Sequence, residues 1–66
     1  MESQEQLAAV ARMQKLIAEN LSKPISLSML AATANYSPWH SSRLFTETTG
    51  KTPFEYIRSL RLSQAA

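Results

Sequence analysis

Apolar side chains recur at spacings of three and four through the first third of the chain. Val10, Met13, Ile17 and Leu21 make one stripe, with Arg12, Lys15 and Glu19 off it, which is the pattern of an amphipathic helix. The spacing predicts a first helix from about Glu5 to Leu21. It ends before Ser22-Lys23-Pro24, because proline disfavours helical geometry in the residue before it. A second, shorter helix follows, about Leu27 to Ala34, with Ser26 as N-cap. Leu27, Leu30, Ala31 and Ala34 share one of its faces, and the alanines allow a neighbouring helix to approach closely.

Asn35-Tyr36 breaks the pattern. Asparagine tolerates the left-handed conformation better than most residues and can reverse the chain after a helix. Ser37-Pro38 restarts it, with serine as N-cap and proline at the first helical position. The third helix runs to about Thr49, with Gly50 as its stop. Leu44 and Phe45 anchor it, while Trp39, Ser42 and Arg43 share another face. Thr52-Pro53-Phe54-Glu55 is a capping box with proline at the first position. The fourth helix is expected to carry Phe54, Ile57 and Leu60 or Arg61 along one side. No glycine or proline stops it before Ala66, which reads as a chain that continues. No segment alternates with a period of two for long, so the fold class is all-α.

Composition narrows the chemistry. With 66 residues and 44% hydrophobic content, one small domain is expected. No cysteine is present, which removes disulfides and thiolate metal sites. One histidine and five carboxylates do not make a metal cage or a triad, and no cofactor is expected. No apolar run nears the roughly 20 residues of a membrane helix. The acidic, polar start, Met1-Glu2-Ser3-Gln4-Glu5, is unlike a signal peptide, so a cytoplasmic location is expected. Charge is uneven: residues 1–20 carry net −1 and residues 21–66 net +3. That excess is a weak pointer to a polyanion.

Two short helices joined by a tight turn match the helix-turn-helix plan. In that plan the first helix braces the second, whose N-terminal turns reach base edges in a major groove about 12 Å wide. Trp39, Ser42 and Arg43 stand where such readers would lie.

The residues also resemble a known family. Asn20-Leu21, Pro24-Ile25-Ser26-Leu27, Leu30-Ala31, Tyr36-Ser37, Trp39-His40, Arg43-Leu44-Phe45, Gly50, Thr52, Tyr56-Ile57-Arg58 and Arg61-Leu62 follow one another as in the first half of an AraC/XylS-type DNA-binding domain. The similarity is greatest to the branch that carries this domain at its N-terminus, and it covers about residues 8 to 66. It implies a four-helix, homeodomain-like subdomain ending in a long connector helix. Residues 1–66 would be the first of two helix-turn-helix units. The implied role is transcription regulation, as an activator, in the cytoplasm and on the nucleoid. The implied partner is promoter operator DNA, with RNA polymerase as a further candidate; no effector is legible.

Carried over by position, Trp39 would pack on sugar and thymine methyl groups, Arg43 would read a purine and Ser42 would stand at a third reading position. The amides near Ser26 and Leu27 would hold a phosphate, and His40 is a candidate phosphate hydrogen-bonder. Lys51 and Arg58 are candidate backbone contacts by charge alone. Three departures matter. Asn35 stands where the family usually has glycine. Ser41 stands where leucine is usual, so it gives up core area and needs a hydrogen-bond partner. Thr46 stands where lysine is frequent.

Plainer readings compete. Trp39 could be a core aromatic, and Arg43 could be a solvated partner of Glu47, four residues on. Tyr36 and Tyr56 read as core residues with a polar tip. No base stands near Ser41 or Ser42 and no carboxylate partners His40 in sequence, so no enzyme is expected. The competing function is a helical protein-interaction module that docks through the Trp39 face.

Overall fold

A computed structural model describes residues 4–65. Helix α1 spans Gln4–Glu19, α2 Leu27–Ala34, α3 Pro38–Thr49 and α4 Pro53–Ala65, with no strand among the described residues. Helices α1, α2 and α3 pack on one another, and α4 packs on α3. The apolar stripe of α1 buries Ala9, Val10, Met13 and Ile17. These meet Leu30 and Ala34 from α2, Leu44 and Phe45 from α3 and Ile57 from α4 in one core. Tyr36 and Tyr56 pack at its edge, half-buried. The Tyr56 ring meets Phe45 edge-on with centroids 5.2 Å apart.

The first helix ends earlier than its stripe suggests. Asn20 Nδ2 donates to the Leu16 carbonyl at 2.8 Å, and the Asn20 amide donates to Ile17 O at 3.1 Å. These bonds occupy carbonyls that the last turn would otherwise leave open. Leu21 therefore lies in a turn, half-buried against the core rather than on the helix. A second difference concerns α4. Phe54 is 51% exposed, and Pro53 is the buried side chain. The inner face of α4 is thus Pro53, Ile57 and Leu60: Ile57 and Leu60 lie inward as expected, and Pro53 takes the place expected of Phe54.

The turn between α2 and α3 is built as its residues require. Asn35 takes φ 67°, ψ 37°, and its amide donates to Ala31 O at 2.8 Å. Ser37 Oγ accepts from the His40 amide at 3.1 Å. Gly50, at φ 82°, closes α3 by donating to Thr46 O at 2.8 Å. These devices fix how far α3 stands off α2 and which way its first turn faces.

Candidate nucleic-acid interface

Helix α3 has two faces with different fates. Ser41, Leu44 and Phe45 are buried. On the opposite side, Trp39 is 69% exposed, one turn before Arg43. The Arg43 guanidinium carbon stands 5.3 Å from the Trp39 ring centroid, a cation–π distance. Arg43 Nε donates to Glu47 Oε2 at 3.0 Å, and both side chains are more than half exposed. Trp39, Arg43 and Glu47 thus form one outward row at steps of four. The core reading of Trp39 is overturned, while the plain reading of Arg43 as a partner of Glu47 holds.

Ser42 joins this face less fully. It is half-buried, and its carbonyl accepts from Thr46 Oγ1 at 2.9 Å. His40 turns aside, with its ring 4.6 Å from that of Tyr36 and tilted by 40°. Trp39, His40 and Arg43 line one shallow groove together with Gln6, Leu44 and Glu47. Lys51 and Arg58 line a different one, with Gly50, Glu55, Ser59 and Leu62. Lys51 Nζ there donates to Ser59 Oγ at 3.3 Å. At the start of α2, Ser26 Oγ accepts from the Met29 amide at 3.2 Å. That cap engages Met29 rather than Leu27 or Ser28, so the first amides of α2 stand at the open end of the helix. Leu27 itself is half-buried.

Two arginines to which the sequence assigns no hydrogen bond turn out to join elements. Arg12 Nε donates to Thr33 O at 2.9 Å and its Nη2 to Ala34 O at 3.3 Å. It therefore caps the end of α2, where a cation is also favoured by the helix dipole. Arg61 donates from Nε to Leu21 O at 3.0 Å and from Nη2 to Lys23 O at 2.9 Å. Both contacts span more than twenty residues of sequence, so local patterning carries no sign of them. Ser41 differs in another way. It is fully buried, and its Oγ has no hydrogen-bond partner among the described residues. The partner that a serine needs at this position is not supplied.

No group of three or more metal-ligating side chains occurs among the described residues. No described helix is long and apolar enough to cross a membrane.

Residues 17–58 match the family described as bacterial regulatory helix-turn-helix proteins, AraC family. The chain belongs to that family. The matched span takes in α2, α3, the turn between them and the outward row on α3. Among similar proteins, the right origin-binding protein of Escherichia coli (strain K12) is 47% identical over 47 residues, covering 71% of this chain and 16% of that protein. The transcriptional regulator Rob of Salmonella typhimurium shows the same identity and coverage. The multiple antibiotic resistance protein MarA of Escherichia coli (strain K12) is 38% identical over 50 residues, covering 76% of this chain and 39% of that protein. The chain thus spans well under half the length of each of these relatives. No solved structure gives a significant match.

Proposed function

We propose that this chain is a DNA-binding unit of a bacterial transcription regulator, and that it docks α3 in a major groove. The observation that carries this is the 69% exposure of Trp39 on the first turn of α3, in register with Arg43 and braced from behind by α2. An exposed indole set against a guanidinium offers one partner both an apolar surface and hydrogen-bond donors. A single helix backed by another is the shape a major groove accepts. Family membership and relatives named for origin binding and transcriptional regulation support the same reading.

In this reading Trp39 packs on sugar and thymine methyl groups, and Arg43 pairs with a purine. Ser42, short and half-buried, adds little discrimination. The open amides at Ser26 and Leu27 take a backbone phosphate, with Lys51 and Arg58 as flanking phosphate contacts and His40 as a minor one. The chain supplies the first unit of the two-unit module. Its partner is promoter operator DNA in the bacterial cytoplasm, and RNA polymerase is a second partner at such a promoter.

The test is a titration of the 66-residue chain with duplex DNA by fluorescence anisotropy across a salt series. Affinity should fall with salt, at a log–log slope of about −0.9 per phosphate neutralised. Arg43→Ala should cost about 1–3 kcal/mol on a preferred duplex and little on an arbitrary one. Absence of salt-dependent binding, even at low ionic strength, would sink the reading. Protein docking through the Trp39 face would instead show as partner binding that Trp39→Ala abolishes at any salt concentration.

A further inference from the structure

The Arg43–Glu47 pair invites a sharper question. An acidic side chain on the face that meets a polyanion repels it, and an exposed pair one helical turn apart contributes little to folding. Neither consideration explains why a carboxylate should stand there. The geometry offers a reason. Arg43 Nε, the inner nitrogen, donates to Glu47 Oε2 at 3.0 Å. Guanine is read end-on through a pair of guanidinium N–H groups presented to O6 and N7. The outer edge, carrying Nη1 and Nη2, is the one that the Glu47 bond does not use. The Trp39 ring lies against the same guanidinium, 5.3 Å from its carbon. One neighbour therefore restrains the group across its face and the other along its inner edge.

We propose that Glu47 is a positioning residue for Arg43. It holds the guanidinium with its outer edge forward, and so sets the sharpness of base discrimination while lowering affinity for DNA in general. This rests on the proposed reading of α3 as a groove-binding helix. A flexible arginine loses rotamer freedom when it docks. One already held in a two-sided clamp loses less, and it does so only in the orientation that suits a guanine. The carboxylate's repulsion, by contrast, acts on every sequence alike. The two effects have opposite signs and can be separated.

The experiment uses the 66-residue chain, a preferred duplex selected from a library of about 20 base pairs with a randomised centre, an arbitrary duplex as control, and Glu47→Ala, Glu47→Gln, Arg43→Ala and the double variant Arg43→Ala/Glu47→Ala. Arg43→Ala identifies the base pair whose preference it erases. Glu47→Ala should bind the arbitrary duplex about two- to fivefold tighter, because a repulsive charge is gone. Its discrimination at the Arg43-dependent base pair should fall about five- to tenfold, a part of what a good bidentate pair provides. Glu47→Gln keeps an acceptor oxygen and should fall between. Without Arg43, removing Glu47 should leave discrimination unchanged. Thermal melts should match those of the parent chain.

Discrimination left intact in Glu47→Ala would overturn the proposal. So would an equal loss in the absence of Arg43, or a changed preference at a second base pair, since either means that Glu47 reads a base itself, as a carboxylate does with a cytosine amino group. If the parent chain selects no sequence at all, the groove-binding reading fails and this proposal with it. If it selects one and only the Glu47 variants behave indifferently, the positioning role alone fails.

Discussion

Trp39 and Ser41 lie two residues apart on α3 and show opposite mismatches with their surroundings. Trp39 puts a large apolar ring in water, and Ser41 puts an unpartnered hydroxyl in the core. The first is what a binding face does. The second contributes nothing that the structure explains, and it has a cost, because a buried hydroxyl gives up its water without replacement. Ser41→Ala should therefore raise the urea midpoint, by about 1 kcal/mol in stability. It should leave DNA affinity near the parent's, since the side chain faces away from Trp39 and Arg43. A loss of stability instead would mean that the hydroxyl has found a partner. Truncating Trp39 or Arg43 to alanine should do the reverse, lowering DNA affinity without moving the melt.

At the scale of elements, the helix ends do most of the organising. Asn35 in the left-handed region and Gly50 at φ 82° each terminate a helix and redirect the chain. Thr52 and Glu55 start α4 with reciprocal bonds: Thr52 N donates to Glu55 Oε1 at 3.0 Å, and Glu55 N donates to Thr52 Oγ1 at 3.2 Å. The Thr52 amide bond, then the Thr52 side chain and Lys51, hold the Glu55 carboxyl below its ordinary value of 4.5. A carboxylate whose pKa is lowered by folding stabilises the folded state fully above the unfolded value, and loses that contribution as pH falls through the folded one. The stability advantage over Glu55→Gln should thus be complete at about pH 6 and shrink below pH 4.5, as read from melting temperatures across a pH series. Thr52→Ala should cost about 1 kcal/mol at neutral pH through the lost cap. An NMR titration of that variant should show the Glu55 value moved back upward.

Across the whole molecule, two arginines do work that burial alone does not. Helix α4 rests on α3 and leaves much of its length exposed, Phe54 and Leu62 included. Arg61 ties its far half to the turn after α1 through the carbonyls of Leu21 and Lys23. Arg12 similarly ties α1 to the end of α2, just before the turn that aims α3. Both sets of bonds are largely exposed, so each arginine contributes near the low end of charged hydrogen bonds. Arg61→Ala should destabilise by about 1 kcal/mol. Amide exchange should quicken first in the C-terminal half of α4, while the α2–α3 pair keeps its protection. Uniform loosening of all four helices would contradict this division.

Much of this was legible from residue order alone. Stripe spacing, caps and stops are local chemistry, so the boundaries of α2 and α3 and the start of α4 follow from neighbours a few positions apart. Trp39 and Arg43 share a face because both lie on α3, one turn apart, and the Glu47 contact is the same kind of relation. The first inner position of α4 was less legible than Ile57 and Leu60 after it. Phe54 and Pro53 are both apolar, and only packing against α3 decides which one goes inside. Beyond reach of any window were the bonds of Arg12 and Arg61, which join carbonyls brought near by the folding of distant segments. The isolation of the Ser41 hydroxyl likewise depends on what the elements packed around it fail to offer. Residue order determined that this chain makes four helices, the last three with N-caps, and puts one indole and one guanidinium on the same side of the third. Tertiary structure decided that this side faces water, because burial depends on which faces meet, and that is a property of the assembled helices rather than of any one of them.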